Sequence, residues 1–399
     1  MSAGPVRSIH DVERRARLAR RHHLARSARI CDVLSLAGDL VGLHSSSPST
    51  VYLAAFARTI TPSFEELERA LYEDRTLLRV LGMRRTLFVV PRDLAAIANA
   101  ACTAKLAVGE RTRLLGLIEK QGIAADAPAW LDGVEDETMA ALRRRGQAFA
   151  TELTGDVPAL EKKVAFGEGT KWAGQVGMST RVLFLLATEG KIVRGKPRGT
   201  WMSNQYRWVP MDLWIGGDLE QIPTAEARRE LARRWLGRFG PATQADVQWW
   251  TGWTKTDSLK ALREVGAVEV ALDGGAGWVL PDDVDPVEET EPWAALLPAL
   301  DPTVMGWTQR DWYLGEYRPV LFDTNGNAGP TVWWNGRIVG GWAHLAGGTI
   351  ALRLLEDIGA EGVGAVEAEA ARLEPLISAV KVIPLFRTPV ERELSVRSE

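Results

Sequence analysis

The sequence predicts an α+β fold built from several small modules, on three observations. Helical periods dominate the first two-thirds of the 399 residues. Short alternating runs that read as two-stranded hairpins interrupt them at three places. Beyond an acidic stretch at 281–292 the chain turns to tryptophan, glycine and strand-like runs. A chain this long exceeds one ordinary core, so two to four domains are expected.

Residues 10–29 read as a basic amphipathic helix, and a second helix is expected from about Ser27 to Leu40. The loop GLHSSSP (42–48) leads into a helix near 49–58. Ser63 opens another, because S-F-E-E is a capping-box pattern with Glu66 at the third helical position. The run LLRVLGMRRTLFVV (77–90) is rich in β-branched and large apolar residues, is broken by Gly82 and is closed by Pro91. It reads as a hairpin, and helices followed by a hairpin give the order of a winged helix.

That order recurs. Residues 109–160 are helical in period around the turn-like TGDVP, and a helix near 178–189 stops at Gly190, a common helix terminator. KIVRGKPRGTWMSNQYRWV (191–209) then alternates as two strands about the turn KPRG. In the third round a helix near 224–238 ends at Gly240–Pro241, another starts near Thr243, and DSLKALREV gives one more. AVEVALDGGAGWVL (267–280) closes the round as a hairpin about DGGAG. Past the acidic linker, TVWWNGRIVGGW (331–342) reads as strands about the turn NG, with a helix near 363–379. The expected architecture is therefore three tandem winged-helix (helix-turn-helix plus β-wing) modules, 1–108, 109–215 and 216–290, followed by a β-rich C-terminal domain, 291–399. Most of the sixteen tryptophans belong in cores or between modules, with a few free to stack on unpaired bases.

Composition excludes several classes. The two cysteines, Cys31 and Cys102, suit a reducing compartment and no disulfide scaffold. The five histidines form no His-x-x-x-His or Cys-x-x-Cys spacing, so no metal is expected. Phosphate-loop and nucleophile-elbow motifs are absent, and no cofactor is expected. Apolar stretches are too short for a membrane span, and the arginine-bearing N-terminal segment lacks the apolar core of a secretory signal. A cytoplasmic protein is the expectation, and it would be nucleoid-associated if it binds DNA.

The net charge of −3 hides an uneven distribution. Residues 1–30 hold eight arginines against Asp11 and Glu13, whereas 282–291 (DDVDPVEETE) carries six acids and no base. One strongly positive face is expected; solvated helix surfaces are the alternative reading of the N-terminal run. Between 191 and 207, Lys191, Arg194, Lys196, Arg198 and Arg207 stand without an acid, which suits phosphates or a narrow minor groove. An ordinary surface wing is the alternative there. Arg84 and Arg85 occupy the turn of the first hairpin, placed for backbone phosphates.

Several strings taken together resemble the winged-helix DNA glycosylases of the AlkZ/YcaQ type. They are GLHSSSP after a basic helix, MRRTLFVVPRDL (83–94), G-P-A-T-x-x-D-x-x-x-W-x-G (240–252), DGGAGWVL (273–280) and GRIVGGW (336–342). The resemblance spans about residues 10–380. It implies three winged helices around a basic, DNA-embracing concavity, and hydrolytic removal of N7- or N3-alkylated purines from double-stranded DNA, in some members including interstrand crosslinks. The family's catalytic Gln-x-Gln or Gln-x-Asp falls on His44 and Ser46, and Phe88 stands where many members have histidine. A histidine with an unperturbed pKa near 6.5 can orient a water and accept its proton, whereas a serine can only hold that water. A turn histidine beside N-capping serines, Ser49 best placed among them, is the alternative for this segment. No lysine falls on the signature positions, so a monofunctional glycosylase is expected; it is also expected to be a monomer. A non-enzymatic winged-helix DNA binder or regulator is the other class, since fold does not determine activity.

Overall fold

A computed structural model describes residues 7–167, 169 and 173–396; the outermost residues of the first and last expected modules lie outside this range, as does Trp172. The chain opens with strand β1 (Ser8–Ile9) and helix α1 (Asp11–Arg21). The expected helix over 10–29 stops eight residues early, because His23 takes a left-handed φ of 56°. The next helix, α2 (Val33–Asp39), begins after a short 3-10 turn, and its cap is Asp32, whose carboxylate accepts the Leu34 and Ser35 amides. Strand β2 (Leu43–His44) and helix α3 (Pro48–Phe56) follow. Ser47, not Ser49, is the N-cap of α3, with Pro48 in the first turn, where a missing N–H costs nothing.

Helix α4 (Phe64–Glu68), capped by the Ser63 hydroxyl, leads to strands β3 (Leu77–Leu81) and β4 (Leu87–Pro91). These form a three-stranded sheet in the order β2-β4-β3. Helices α5 (Arg92–Ala98), α6 (Ala104–Lys120), α7 (Ala127–Arg145) and α8 (Ala150–Asp156) follow. A small hairpin that periodicity did not suggest, β5 (Lys163–Phe166) with β6 (Gly174–Gly177), precedes α9 (Met178–Thr188). The basic hairpin comprises β7 (Ile192–Pro197) and β8 (Tyr206–Pro210). Its connection is the loop 198–205, longer than the expected KPRG turn, because β7 pairs through Pro197 and the register shifts between Arg194 and Pro197.

After α10 (Met211–Ile215), helices α11 (Thr224–Phe239), α12 (Gln244–Thr251) and α13 (Lys255–Glu264) lead to the third hairpin, β9 (Val268–Leu272) and β10 (Gly275–Val279). Thr243 caps α12 in a reciprocal box with Asp246. The C-terminal part holds a four-stranded antiparallel sheet in the order β11 (Ala294–Leu297), β12 (Thr331–Trp334), β13 (Arg337–His344), β14 (Ile350–Leu354). The short helices α14 (Asp311–Leu314) and α15 (Arg318–Leu321) lie between its first two strands in sequence. Helix α16 (Gly359–Ile377) packs on β11 and β12, and α17 (Pro389–Val396) on β13 and β14. The fold is thus mixed α+β with small sheets.

Packing ties distant segments together. One apolar cluster runs from α1 through the first sheet and α11 to Trp307 and Trp333, and within it Trp235 stacks on Phe239 at 5.3 Å. The N-terminal arginines do not form the expected free positive face. Arg17 reaches Asp283 at 2.6 Å and Glu13 at 2.8 Å, Arg21 also meets Asp283, and Arg29 pairs with Glu369 at 2.6 Å. The basic run and the acidic linker, separate in sequence, neutralise one another. Among the described residues no helix is long and apolar enough to cross a membrane.

Candidate active site

The segment around His44 is shaped by its backbone. After α2 the chain turns through Val41 (φ 50°) and Gly42 (φ 107°). A Cβ on Gly42 would lie 2.9 Å from Val90 Cγ1, so only glycine lets β2 approach β4. Leu43 then pairs with Val89 and His44 with Phe88, and the Ser45 amide donates to Leu87 O at 2.7 Å. This pins the imidazole against the first hairpin, edge-on to Phe88 at a centroid distance of 5.2 Å.

His44 is 4% exposed. Burial, with the nearby Arg84 guanidinium, lowers its pKa to about 3. The ring is therefore neutral at physiological pH, and the near-neutral titration expected from the sequence does not occur. The Ser46 amide donates to His44 Nδ1 at 3.4 Å, which leaves the ring proton on Nε2. In this state the ring has its Nε2–H donor left for a further partner, a role a glutamine amide N–H can also fill, and it is a weak base.

Ser46 sits at a bend after β2, so the segment is not extended through His44 and Ser46. Ser46 is half-buried; Ser45 beside it is buried, with its hydroxyl unpartnered. Sequence reasoning passed over Ser45, and no local signal marks it.

Arg84 and Arg85 both hold left-handed backbone, φ 54° and 63°, a conformation disfavoured for side chains of this size. Their side chains go to different partners. Arg85 pairs with Glu110 at 3.0 Å. Arg84 lies over the Trp249 indole, 3.8 Å from its centroid, and burial pulls its pKa down to about 10 with help from Arg310. Arg310 stacks on the same indole at 4.8 Å. Neither Trp249 nor Arg310 was singled out from the sequence; the loop carrying Arg310 has no periodic pattern.

The basic hairpin divides in two. Lys191 pairs with Glu189 at 2.7 Å, and Lys196 with Glu68 at 3.0 Å. Arg198 and Arg207 instead lie over Phe149, at 4.2 and 4.6 Å, and Arg194 over Trp208 at 5.0 Å. Burial lowers the Arg194 pKa to about 10, and its Nε has no partner. Arg194 and Arg198 line a cleft of about 360 Å³ with Asn204, Gln205 and Trp208. A larger cleft, about 780 Å³, is bordered by Glu65, Glu66, Glu68 and Glu73, carboxylates that repel phosphate. The structure thus groups His44, Ser46 and Arg84, and holds the hairpin cations as a separate set.

A protein-family model described as "DNA glycosylase AlkZ-like" matches residues 37–376. Among solved structures, a chain described as Streptomyces sahachiroi DNA glycosylase AlkZ superposes with a TM-score of 0.71 at 22% identity, covering 94% of this chain and 98% of that one. No curated protein matches the sequence.

Proposed function

Since the chain belongs to the AlkZ-like DNA glycosylase family, we propose that it is a monofunctional, monomeric enzyme that hydrolyses the N-glycosidic bond of purines alkylated at N7 or N3 in double-stranded DNA. Bulky genotoxin adducts and interstrand crosslinks fall within the same chemistry. An alkylated purine is already cationic and leaves without an acid. The C1′–N bond breaks and its electron pair departs with the base, neutralising it. The sugar passes through an oxocarbenium-like state, a water oxygen bonds to C1′, and that water's proton is released to solvent.

What this asks of the protein is placement of the water. The observation that carries the reading is the buried, neutral His44 held beside Arg84 on the first sheet. We assign His44 to orienting the water through its Nε2–H donor, since Nδ1 already accepts the Ser46 amide, with Ser46 as a second holder. A ring whose pKa is about 3 does not take a proton usefully at neutral pH. Around this centre we read three winged-helix modules (1–108, 109–215, 216–290) and a C-terminal domain (291–399). The hairpins β3–β4, β7–β8 and β9–β10, each following helices, support that division. Arg84, Arg194, Arg198 and Arg207 are assigned to DNA phosphates, with Arg85, Lys191 and Lys196 contributing less because carboxylates already hold them. No metal or cofactor is assigned, and the enzyme is placed with the nucleoid.

The test is single-turnover incubation with duplexes bearing defined N7-guanine or N3-adenine adducts, followed by detection of abasic sites. Release of at least one such base is expected. Intact DNA binding with no abasic site from any adduct would overturn the proposal.

A further inference from the structure

The pair of guanidiniums on Trp249 is an unfinished charge site. Arg84 comes from the turn between β3 and β4, Trp249 from α12, and Arg310 from the loop before α14. The Nε of Arg84 and the Nε and Nη2 of Arg310 are buried with no hydrogen-bond partner, and Arg310 is 4% exposed. Among the described residues no ion pair joins a carboxylate to either group, and the charge that acts on Arg84 is the like charge of Arg310. The turn packs against the end of α12, where a Cβ on Gly252 would stand in ordinary contact, 3.7 Å from the Arg84 backbone. Like charges gathered out of water oppose folding unless something compensates them. Donors left unmade in a strained turn are the mark of a site completed by a ligand.

The ligand must be an anion, and the reaction says which. As the base departs, positive charge moves onto the sugar, and two bare guanidiniums nearby would oppose it. No carboxylate is available to offset them at the signature segment, where Ser46 stands in place of the acid or amide that the resemblance implies. Taking as given the reading of His44 as the place where the sugar is attacked, we propose that Arg84, backed by Arg310 across Trp249, seats the DNA phosphodiester next to the nucleotide being cleaved. That phosphate then supplies the negative charge the protein lacks at this point. Arg84 touches the phosphate. Arg310 is a positioning residue that acts through the indole and the local field.

A methylphosphonate removes the charge of one linkage and little else. Duplexes carrying one N7-alkylguanine and a single methylphosphonate, moved from two positions 5′ to two positions 3′ of the lesion, are compared in single-turnover excision at saturating protein. The proteins are the wild type, Arg84→Met and Arg310→Met. One flanking linkage is expected to slow the wild type on the order of 10²-fold, the scale of one lost transition-state electrostatic contact. The same linkage should matter less than about 3-fold in Arg84→Met, because coupled partners are not additive. Arg310→Met should fall between the two while its thermal midpoint holds or rises, which a merely structural arginine would not give. Equal methylphosphonate effects in all three proteins, or no sensitive linkage, would overturn the proposal.

A second arm reads binding to unalkylated duplex across salt concentration. Arg84→Met should lose roughly 0.9 from the slope of log K against log salt. If the wild type excises no base but this binding signature holds, the glycosylase reading falls and the phosphate seat stands. Excision without any dependence on linkage gives the opposite result.

Discussion

Arg58 and Asp301 form a two-pronged ion pair that solvent does not reach: Nη2 to Oδ1 is 2.6 Å, Nη1 to Oδ2 is 2.9 Å, and both side chains are fully buried. Arg58 Nε donates to His22 O, and further bonds run to Ala54 O and the Thr303 hydroxyl. The pair joins the end of α3 to the start of the C-terminal region. Removing one partner leaves the other charge buried and alone, so Asp301→Ala is expected to cost about 3–5 kcal/mol. Urea unfolding checks this, and a loss under ~1 kcal/mol would mean that water fills the site freely.

His44→Ala should reduce single-turnover excision by about 10²-fold, the scale of a lost positioning contact, while DNA affinity stays within a few-fold. His44→Gln should keep most of the activity, because the amide N–H restores the donor that Nε2–H supplies. With the His44 pKa near 3, the wild-type rate should be level from about pH 5.5 to 8.5, where an unperturbed histidine would titrate. A rate that falls in this window on acidification, and is flattened by His44→Gln, would return the proton-accepting role to His44.

Stability should carry the same signature with the opposite visibility. His44 and His22 are both buried, and burial is the main cause of their lowered pKa values. Between the unfolded value near 6.5 and the folded values, the unfolded chain binds more protons than the folded one. Stability is therefore full above pH ~6.5 and is lost as pH falls below it, by about 1.4 kcal/mol per pH unit for each such histidine. His44→Gln should remove one proton's worth of that slope between about pH 4.5 and 6. An unchanged slope in denaturant titrations at several pH values would show that folding does not lower the His44 pKa.

The divided hairpin predicts unequal losses. Arg198→Ala should take roughly 0.9 from the salt slope of DNA binding if it meets one phosphate. Lys196→Ala should do less, because Glu68 already holds that ammonium at 3.0 Å. Equal effects of the two would show that the Lys196–Glu68 pair opens on DNA.

What could be read in the sequence was local. The first and third hairpins follow from alternating β-branched runs around short turns, and Ser63 and Thr243 announce their helices through capping chemistry. The helix over 10–29 was overextended because its arginines continue the amphipathic pattern beyond the turn at His23. The fate of those arginines depends on Asp283, more than 260 residues away, which no window of sequence contains. His44 was found by its motif. Its suppressed titration was not, since burial under Phe88 and the approach of Arg84 are tertiary facts. Arg310 and Trp249 share nothing in sequence except the indole contact that joins them.

The parallel pairing of Ser8–Ile9 with Ala271–Leu272 has a bearing on how the chain is made. Arg17 and its partner Asp283 are 266 residues apart. At ribosomal rates of about 5–20 residues per second, the N-terminal strand and helix emerge roughly 15–50 seconds before the segments they dock against. Through that interval Ile9, Arg14 and Arg17, all buried in the finished protein, lack their final surroundings. A product that stalls before residue 268 carries the edge strand of a sheet it never makes. Such a fragment presents bare apolar and cationic surface to chaperones and proteases, so completion of synthesis is itself the step that closes the molecule.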